Sequence, residues 1–161
     1  MHGVADALDT SALVVLERQI DEWLAELHDE VDHLVAVDRD PDDARRNVRR
    51  WYVRMSGEDK EFTTVWLTLG QRTLRYETYV MPAPEENEAE LNEQLLRRND
   101  SLVGAHFSIG AEDAVFLRGS VATSSVSKEL VDDVLGLLYS QVEQCFRSLL
   151  RIGYPRFFAD D

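Results

Sequence analysis

The most reactive side chain in this sequence belongs to its single cysteine, Cys145. A cysteine acts as a nucleophile when a positive and accessible environment lowers the pKa of its thiol. Cys145 instead follows Val142 by three residues and precedes Leu149 by four, which places it on the apolar stripe of a predicted helix. We therefore predict a buried structural thiol, because the sequence places neither Arg147 nor His106 next to it.

Histidines and carboxylates could hold a metal ion or act as acid and base, but their spacing favours neither role. His28 and His33 are five residues apart, whereas a metal-binding pair on a helix is four apart. Asp132 and Asp133 are adjacent in a predicted helix, so they point in different directions. The serine run TSSVS lacks the G-x-S-x-G pattern of a nucleophile elbow, and the glycines form no phosphate-binding loop. The sequence predicts no catalytic residue, no metal ligand and no cofactor.

Charge is distributed unevenly along the chain. The 161 residues carry a net charge of −14, and residues 1–43 contribute −11 of it, with 13 acids and two bases. Residues 44–80 hold eight bases and four acids. Most of such a surface would repel a polyanion, so we do not expect nucleic acid as a partner. No apolar run reaches the ~20 residues of a membrane-spanning helix, and the lone cysteine favours the cytoplasm.

Hydrophobic periodicity predicts the elements that position these residues. Apolar residues over 11–37 recur at steps of three and four, which indicates an acidic amphipathic helix. Thr10 or Ser11 is its expected N-cap, and a linker follows at 38–47. Alternating apolar residues then predict three strands in RWYVRM, EFTTVWLTL and TLRYETYV, and two more in AHFSIG and AVFLRGSV.

A proline-rich corner separates the third strand from the second helix. Pro82 lacks the N–H that another ladder hydrogen bond would need. Pro84 suits the first turn of a helix, where Glu85 and Glu86 would lie at the positive end of the helix dipole. Three leucines are expected to face inward from this helix: Leu91, Leu95 and Leu96.

The order of elements predicts an α+β fold. Helices and strands follow as α-β-β-β-α-β-β-α, which indicates two layers, with an antiparallel sheet of about five strands and the helices on one side. The longest helix is predicted between its N-cap, Ser127, and Gly153. We expect one domain over 1–161, divided into a flexible N-terminus (1–10), the acidic helix (11–37), the linker (38–47), a core (48–154) and a tail (155–161).

The sheet face opposite the helices is the candidate binding surface. Five side chains are predicted to point away from the core: Tyr52, Arg54, Trp66, Arg75 and Tyr79. Arginine with large aromatics is typical of interaction hot spots. Three interpretations remain open. The face could be solvated, with its arginines packed over aromatic rings; it could bind a client protein; or the chain could self-associate, through this face or the last helix.

Several strings of this sequence resemble the YbjN family of bacterial sensory transduction regulators. They extend from about Arg50 to Tyr154 and include RWYVRM, TVWLTL, QRTLRYETYVMPAPEEN, FSIG and EDAVFLRG. The family is similar in fold to the class I chaperones of type III secretion, which are usually homodimers that hold an extended segment of a client. The resemblance therefore implies binding rather than catalysis, with a protein client or homodimer partner.

Two functional hypotheses follow. The first is a non-enzymatic, chaperone- or adaptor-like regulatory protein. The second is a small-ligand sensor with a pocket between sheet and helices. The charge division adds a third idea, in which the acidic residues 1–43 lie across the basic sheet face and cover it until a partner competes.

Overall fold

The structure is a computed structural model that describes residues 7–159. Its helices are α1 (Thr10–Glu30), α2 (Pro41–Arg45), α3 (Glu88–Ser101) and α4 (Lys128–Gly153). Its strands are β1 (Leu34–Asp38), β2 (Arg49–Ser56), β3 (Phe62–Leu69), β4 (Thr73–Met81), β5 (His106–Ile109) and β6 (Val115–Ala122). The predicted α+β fold with an antiparallel sheet is confirmed. The predicted flexibility of residues 1–10 falls mostly outside the described residues.

The sheet has six strands rather than about five, in the order β1-β2-β3-β4-β6-β5. The additional strand, β1, lies within the segment predicted as helix 11–37. The helix ends at Glu30, and β1 then pairs antiparallel with β2, with Val37 opposite Val53. Val31 and Leu34 continue the helical spacing of α1, but the β-branched Val35 and Val37 favour a strand. The predicted linker also contains the short helix α2, capped by Asp40.

All three long helices contribute to one core on a single face of the sheet. The alternation predicted for β2, β3 and β4 is confirmed, since Trp51, Val53, Leu67 and Leu74 are fully buried. The apolar stripe of α1 joins this core through five buried side chains: Leu13, Leu16, Ile20, Leu24 and Leu27. The N-cap of α1 is Asp9, rather than Thr10 or Ser11, and its carboxylate accepts a hydrogen bond from the Ala12 N–H at 2.8 Å.

The proline-rich corner caps α4 instead of starting α3. The backbone N–H groups of Glu85 and Glu86 donate to the Gly153 carbonyl at 2.9 and 3.1 Å, and α3 begins only at Glu88. The corner therefore satisfies the free carbonyls at the C-terminus of α4. The start of α4 agrees with the prediction, because the Ser127 hydroxyl accepts from the Leu130 N–H at 3.1 Å.

Candidate partner-binding face

The register of the sheet brings the five predicted residues to one face. We call this the open face and define it by the outward side chains of the central strands: Arg50, Tyr52, Arg54, Phe62, Thr64, Trp66, Thr68, Arg75, Glu77, Tyr79, Phe116, Arg118 and Ser120. Tyr52 lies directly opposite Trp66, and their ring centroids are 6.2 Å apart in an edge-on contact. Tyr79 is opposite Phe116, with centroids 5.6 Å apart. Edge-on aromatic pairs of this kind stabilise neighbouring strands.

Two of the arginines pack over aromatic rings within the face. The guanidinium carbon of Arg54 is 3.6 Å from the centroid of the Phe62 ring, which is a cation–π contact. Arg118 donates from Nε to Glu77 at 2.7 Å and also lies over the Phe116 ring, 4.2 Å from its centroid. The interpretation of arginines packed over aromatics therefore holds for these two residues.

Arg75 differs from the other arginines of the face. It is exposed, and it stands between Thr68 of β3 and Ser120 of β6. Among residues 7–159, no carboxylate lies within ion-pairing distance of Arg75, nor of Arg54. The open face thus presents two cations without a paired anion, and such cations are available to a partner.

Two tyrosines of the face stay neutral at physiological pH. Burial raises the pKa of Tyr52, and the hydrogen bond from its hydroxyl to Asp43, at 2.8 Å, raises that pKa further. The pKa of Tyr79 is also raised, first by burial and then by the nearby Tyr154 and Glu112. Both side chains therefore offer a neutral hydroxyl and an aromatic surface.

A half-buried lysine supports the edge of the open face at Tyr79. Lys60 donates from Nζ to the Tyr79 carbonyl at 2.6 Å, and Nζ lies 5.4 Å from the Tyr79 ring and 5.5 Å from the Phe146 ring. Burial lowers the pKa of this amine to about 8. Lys60 therefore links β4 to α4 behind Tyr79.

The groups that could do chemistry lie away from the open face. Cys145 is fully buried, as predicted, and burial raises the pKa of its thiol to about 11 although Arg98 and Lys60 act in the opposite direction. His33 stacks on Tyr139, with ring centroids 4.2 Å apart. Within residues 7–159, no group of three His, Cys, Asp or Glu side chains is arranged to hold a metal ion.

The acidic helix does not cover the open face. Glu17 accepts from Arg39 at 2.8 Å and from Arg49 at 3.1 Å, and Asp21 accepts from the indole N–H of the core residue Trp51 at 2.6 Å. These contacts hold α1 on the opposite side of the sheet. The proposed displaceable cover is therefore wrong for α1, whereas Asp43 of α2 contacts the rim of the open face through the Tyr52 hydroxyl.

An apolar groove between α3 and β5 was missed by sequence reasoning. The groove has a volume of about 320 Å³, and no charged side chain lines it. The residues that line it are Asn92, Leu95, Leu96, Asn99, Phe107, Ser108 and Ile109. Leu96 was predicted to face inward but is 70% exposed. The helical period contained the signal, because consecutive residues such as Leu95 and Leu96 point about 100° apart and cannot both face the core.

A second cleft lies between the sheet and the helices, the region where the sequence predicted a pocket for a small ligand. It has a volume of about 360 Å³ and lies between β4, β6 and the first turns of α4. Tyr76, Leu137 and Asp133 are among the residues that line it.

Comparison with protein families gives a match over most of the chain. The model of the YbjN family, described as "Putative bacterial sensory transduction regulator", matches residues 18–151. The chain belongs to the YbjN family. The match begins inside α1, so it includes most of the acidic helix that the sequence resemblance had left out.

Curated YbjN-like relatives have no described activity. An uncharacterized protein of Mycobacterium tuberculosis is 33% identical over 102 residues, which are 63% of this chain and 56% of that protein. An uncharacterized protein of Mycobacterium leprae is 30% identical over 105 residues, with coverages of 65% and 57%. This YbjN-family chain therefore spans little more than half the length of these relatives.

Solved structures confirm the predicted chaperone-like fold. A chain of the ExsC–ExsE complex has a TM-score of 0.54 and 18% identity, covering 83% of this chain and 96% of that one. A chain of the heterodimeric ExoU–SpcU complex from the type III secretion system of Pseudomonas aeruginosa has a TM-score of 0.50 and 13% identity, with coverages of 84% and 98%. At these identities the similarity concerns the fold alone. In this YbjN-family chain, none of the helices within residues 7–159 is long and apolar enough to cross a membrane.

Proposed function

We propose that this chain is a non-enzymatic protein-binding regulator of the adaptor or chaperone type, which acts in the cytoplasm and holds a segment of a client on the open face. The observation that carries the proposal is the group of Tyr52, Trp66 and Arg75 on a sheet face that none of the long helices within residues 7–159 covers. Aromatic and arginine side chains dominate the energetics of protein interfaces. The fold shared with chains of two protein complexes supports the same proposal.

We further propose that the chain forms a homodimer through the groove between α3 and β5. Two copies of a chain with a net charge of −14 repel each other, so self-association favours a surface without charge. The groove offers Leu96 and Ile109, which are 70% and 51% exposed. The last helix is a weaker candidate, because its apolar side is buried in the core.

Site-specific photo-crosslinking in the native host tests the client proposal. A benzophenone amino acid replaces Ser120, next to Arg75 on the open face, or Gln144, an exposed position on α4 that serves as the control. We expect Ser120 to capture one defined protein and Gln144 to capture none. Trp66→Ala and Arg75→Glu should each weaken the capture, and thermal unfolding checks that both variants fold. Equal capture at the two positions would overturn the proposal.

The small-ligand sensor remains the alternative, because the cleft at Tyr76 lies where such a pocket was predicted. A thermal-shift screen against metabolites distinguishes the two functions. A metabolite that raises Tm, and whose effect is lost in Leu137→Trp, would favour the sensor. A defined client without any metabolite shift favours the binding module.

A further inference from the structure

We infer that the open face selects an acidic, extended segment of a protein, with two carboxylates about five residues apart and an apolar side chain between them. This inference rests on the proposed function and names the chemistry of the client. It is carried by the placement of Arg54, Trp66 and Arg75 on the open face.

The open face is basic on a strongly acidic protein. It carries four arginines and one carboxylate, Glu77, which Arg118 occupies at 2.7 Å. Asp43 at its rim already accepts from Tyr52 and lies 3.9 Å from Arg50. Arg54 and Arg75 remain without a carboxylate within residues 7–159, while the whole chain has a net charge of −14. A segment that brings carboxylates would find complementary charge on this face and repulsion elsewhere.

The sheet register gives the spacing of the two cations. Arg54 lies opposite Thr64, and Arg75 lies opposite Thr68, so the two arginines are two strands and four residues apart. With about 4.8 Å between strands and about 3.4 Å per residue, their Cα atoms are about 17 Å apart. An extended chain covers that distance in about five residues. Trp66 lies midway between them, where it can contact the side chain at the centre of the segment.

The same charges argue against single-stranded nucleic acid, although arginines and aromatics on a sheet face can also bind bases. A nucleic acid carries a phosphate on every nucleotide, and a chain with a net charge of −14 repels this continuous charge. A short segment with two carboxylates places negative charge only where Arg54 and Arg75 stand. The acidic peptide is therefore the ligand that the face fits best.

Fluorescence anisotropy with labelled decapeptides tests the inference at low ionic strength. One peptide carries two glutamates five residues apart with a leucine between them, and its match carries glutamines in their place. We expect the glutamate peptide to bind more tightly, and added salt to weaken it. Arg54→Gln and Arg75→Gln should each weaken its binding about three- to fivefold, the upper range for an exposed ion pair. The control is Arg97→Gln, which removes an exposed arginine from α3.

Three results would overturn the inference. The first is equal binding of the two peptides, with the binding of both lost in Trp66→Ala. The open face would then bind peptides irrespective of their charge, and the proposed function would stand. Equal effects of Arg75→Gln and Arg97→Gln would show that the charges act without a defined site. Stronger binding of an oligothymidylate would identify nucleic acid as the ligand, and the proposed function would fail with the inference.

Discussion

The carboxylate of Glu143 holds the turn between β2 and β3 against α4. One of its oxygens accepts from the N–H groups of Glu58 at 2.9 Å and Asp59 at 3.1 Å, and the other accepts from Lys60 at 3.3 Å. Gly57 leaves room for this contact, because a Cβ there would lie 2.2 Å from Oε1 of Glu143. One side chain thus links the helix layer to the hairpin that carries Arg54, Phe62 and Trp66.

Removing this carboxylate should destabilise the fold by a measurable amount. Hydrogen bonds to a charged group contribute about 1.5–3 kcal/mol each when they are shielded. The turn is largely exposed and one of the three bonds is long, so water can replace part of the loss. We expect Glu143→Ala to lower the free energy of unfolding by about 2–3 kcal/mol. Glu143→Gln should cost about 1–2 kcal/mol, because its amide keeps one acceptor oxygen but turns an NH₂ group towards a donor.

Urea unfolding followed by tryptophan fluorescence measures these changes, since Trp51 is fully buried in the core. Glu93→Gln is the matched control, because it removes only an exposed pair with Arg97 at 2.9 Å and should cost about 0.5 kcal/mol or less. If Glu143→Ala cost no more than this control, water would replace the carboxylate fully, and the linking role assigned to Glu143 would be refuted.

Three further predictions follow from burial. Because burial raises the pKa of Cys145 to about 11, a thiol reagent at pH 8 should label it slowly in the native protein and fully in urea; rapid native labelling would contradict this. Burial lowers the pKa of Lys60 to about 8 in the folded protein, compared with about 10.4 in an unfolded chain. Between pH 8 and 10 the unfolded state therefore binds more protons, and the stability of the wild type relative to Lys60→Met should rise with pH. A stability difference that stays constant in thermal unfolding across this range would contradict the prediction. Deletion of residues 1–31 removes five buried side chains that contribute about 1.5–3 kcal/mol each. Their sum approaches the whole free energy of unfolding of a domain, so we expect the truncated chain not to fold. A cooperative thermal transition of the truncated chain, measured by circular dichroism, would contradict this prediction.

The open face could be predicted because strand alternation is local. In β3, the sequence alternates Val65 and Leu67 with Thr64 and Trp66, and the burial of the first pair follows directly. Once a sheet is covered on one side, each strand can place only one set of side chains in the core. The helical period, which is also a local pattern, correctly placed Cys145 on the buried side of α4.

The predictions of the end of α1 and the start of α3 were wrong because the residues there fit two different local patterns. Val31 and Leu34 fit both the helical spacing and a strand, and pairing with β2 selects the strand for Leu34. Pro84 fits the first turn of a helix, but the carbonyl of Gly153 takes the N–H groups that follow it. Contacts with segments distant in sequence decide the structure of such residues, because these contacts leave no periodic pattern in the local sequence.

The sequence by itself determined the α+β order, the apolar side of each long element and the aromatic and arginine side chains opposite it, because periodicity and proline restrict the backbone locally. Only the tertiary structure decided which charges remain without a partner. The carboxylates of Glu17 and Asp21 contact Arg39, Arg49 and Trp51 across 18 to 32 residues of sequence, whereas no carboxylate within residues 7–159 lies within ion-pairing distance of Arg75. Ion pairing depends on distance in space rather than along the chain, so the cations without a paired carboxylate become visible only in the folded protein.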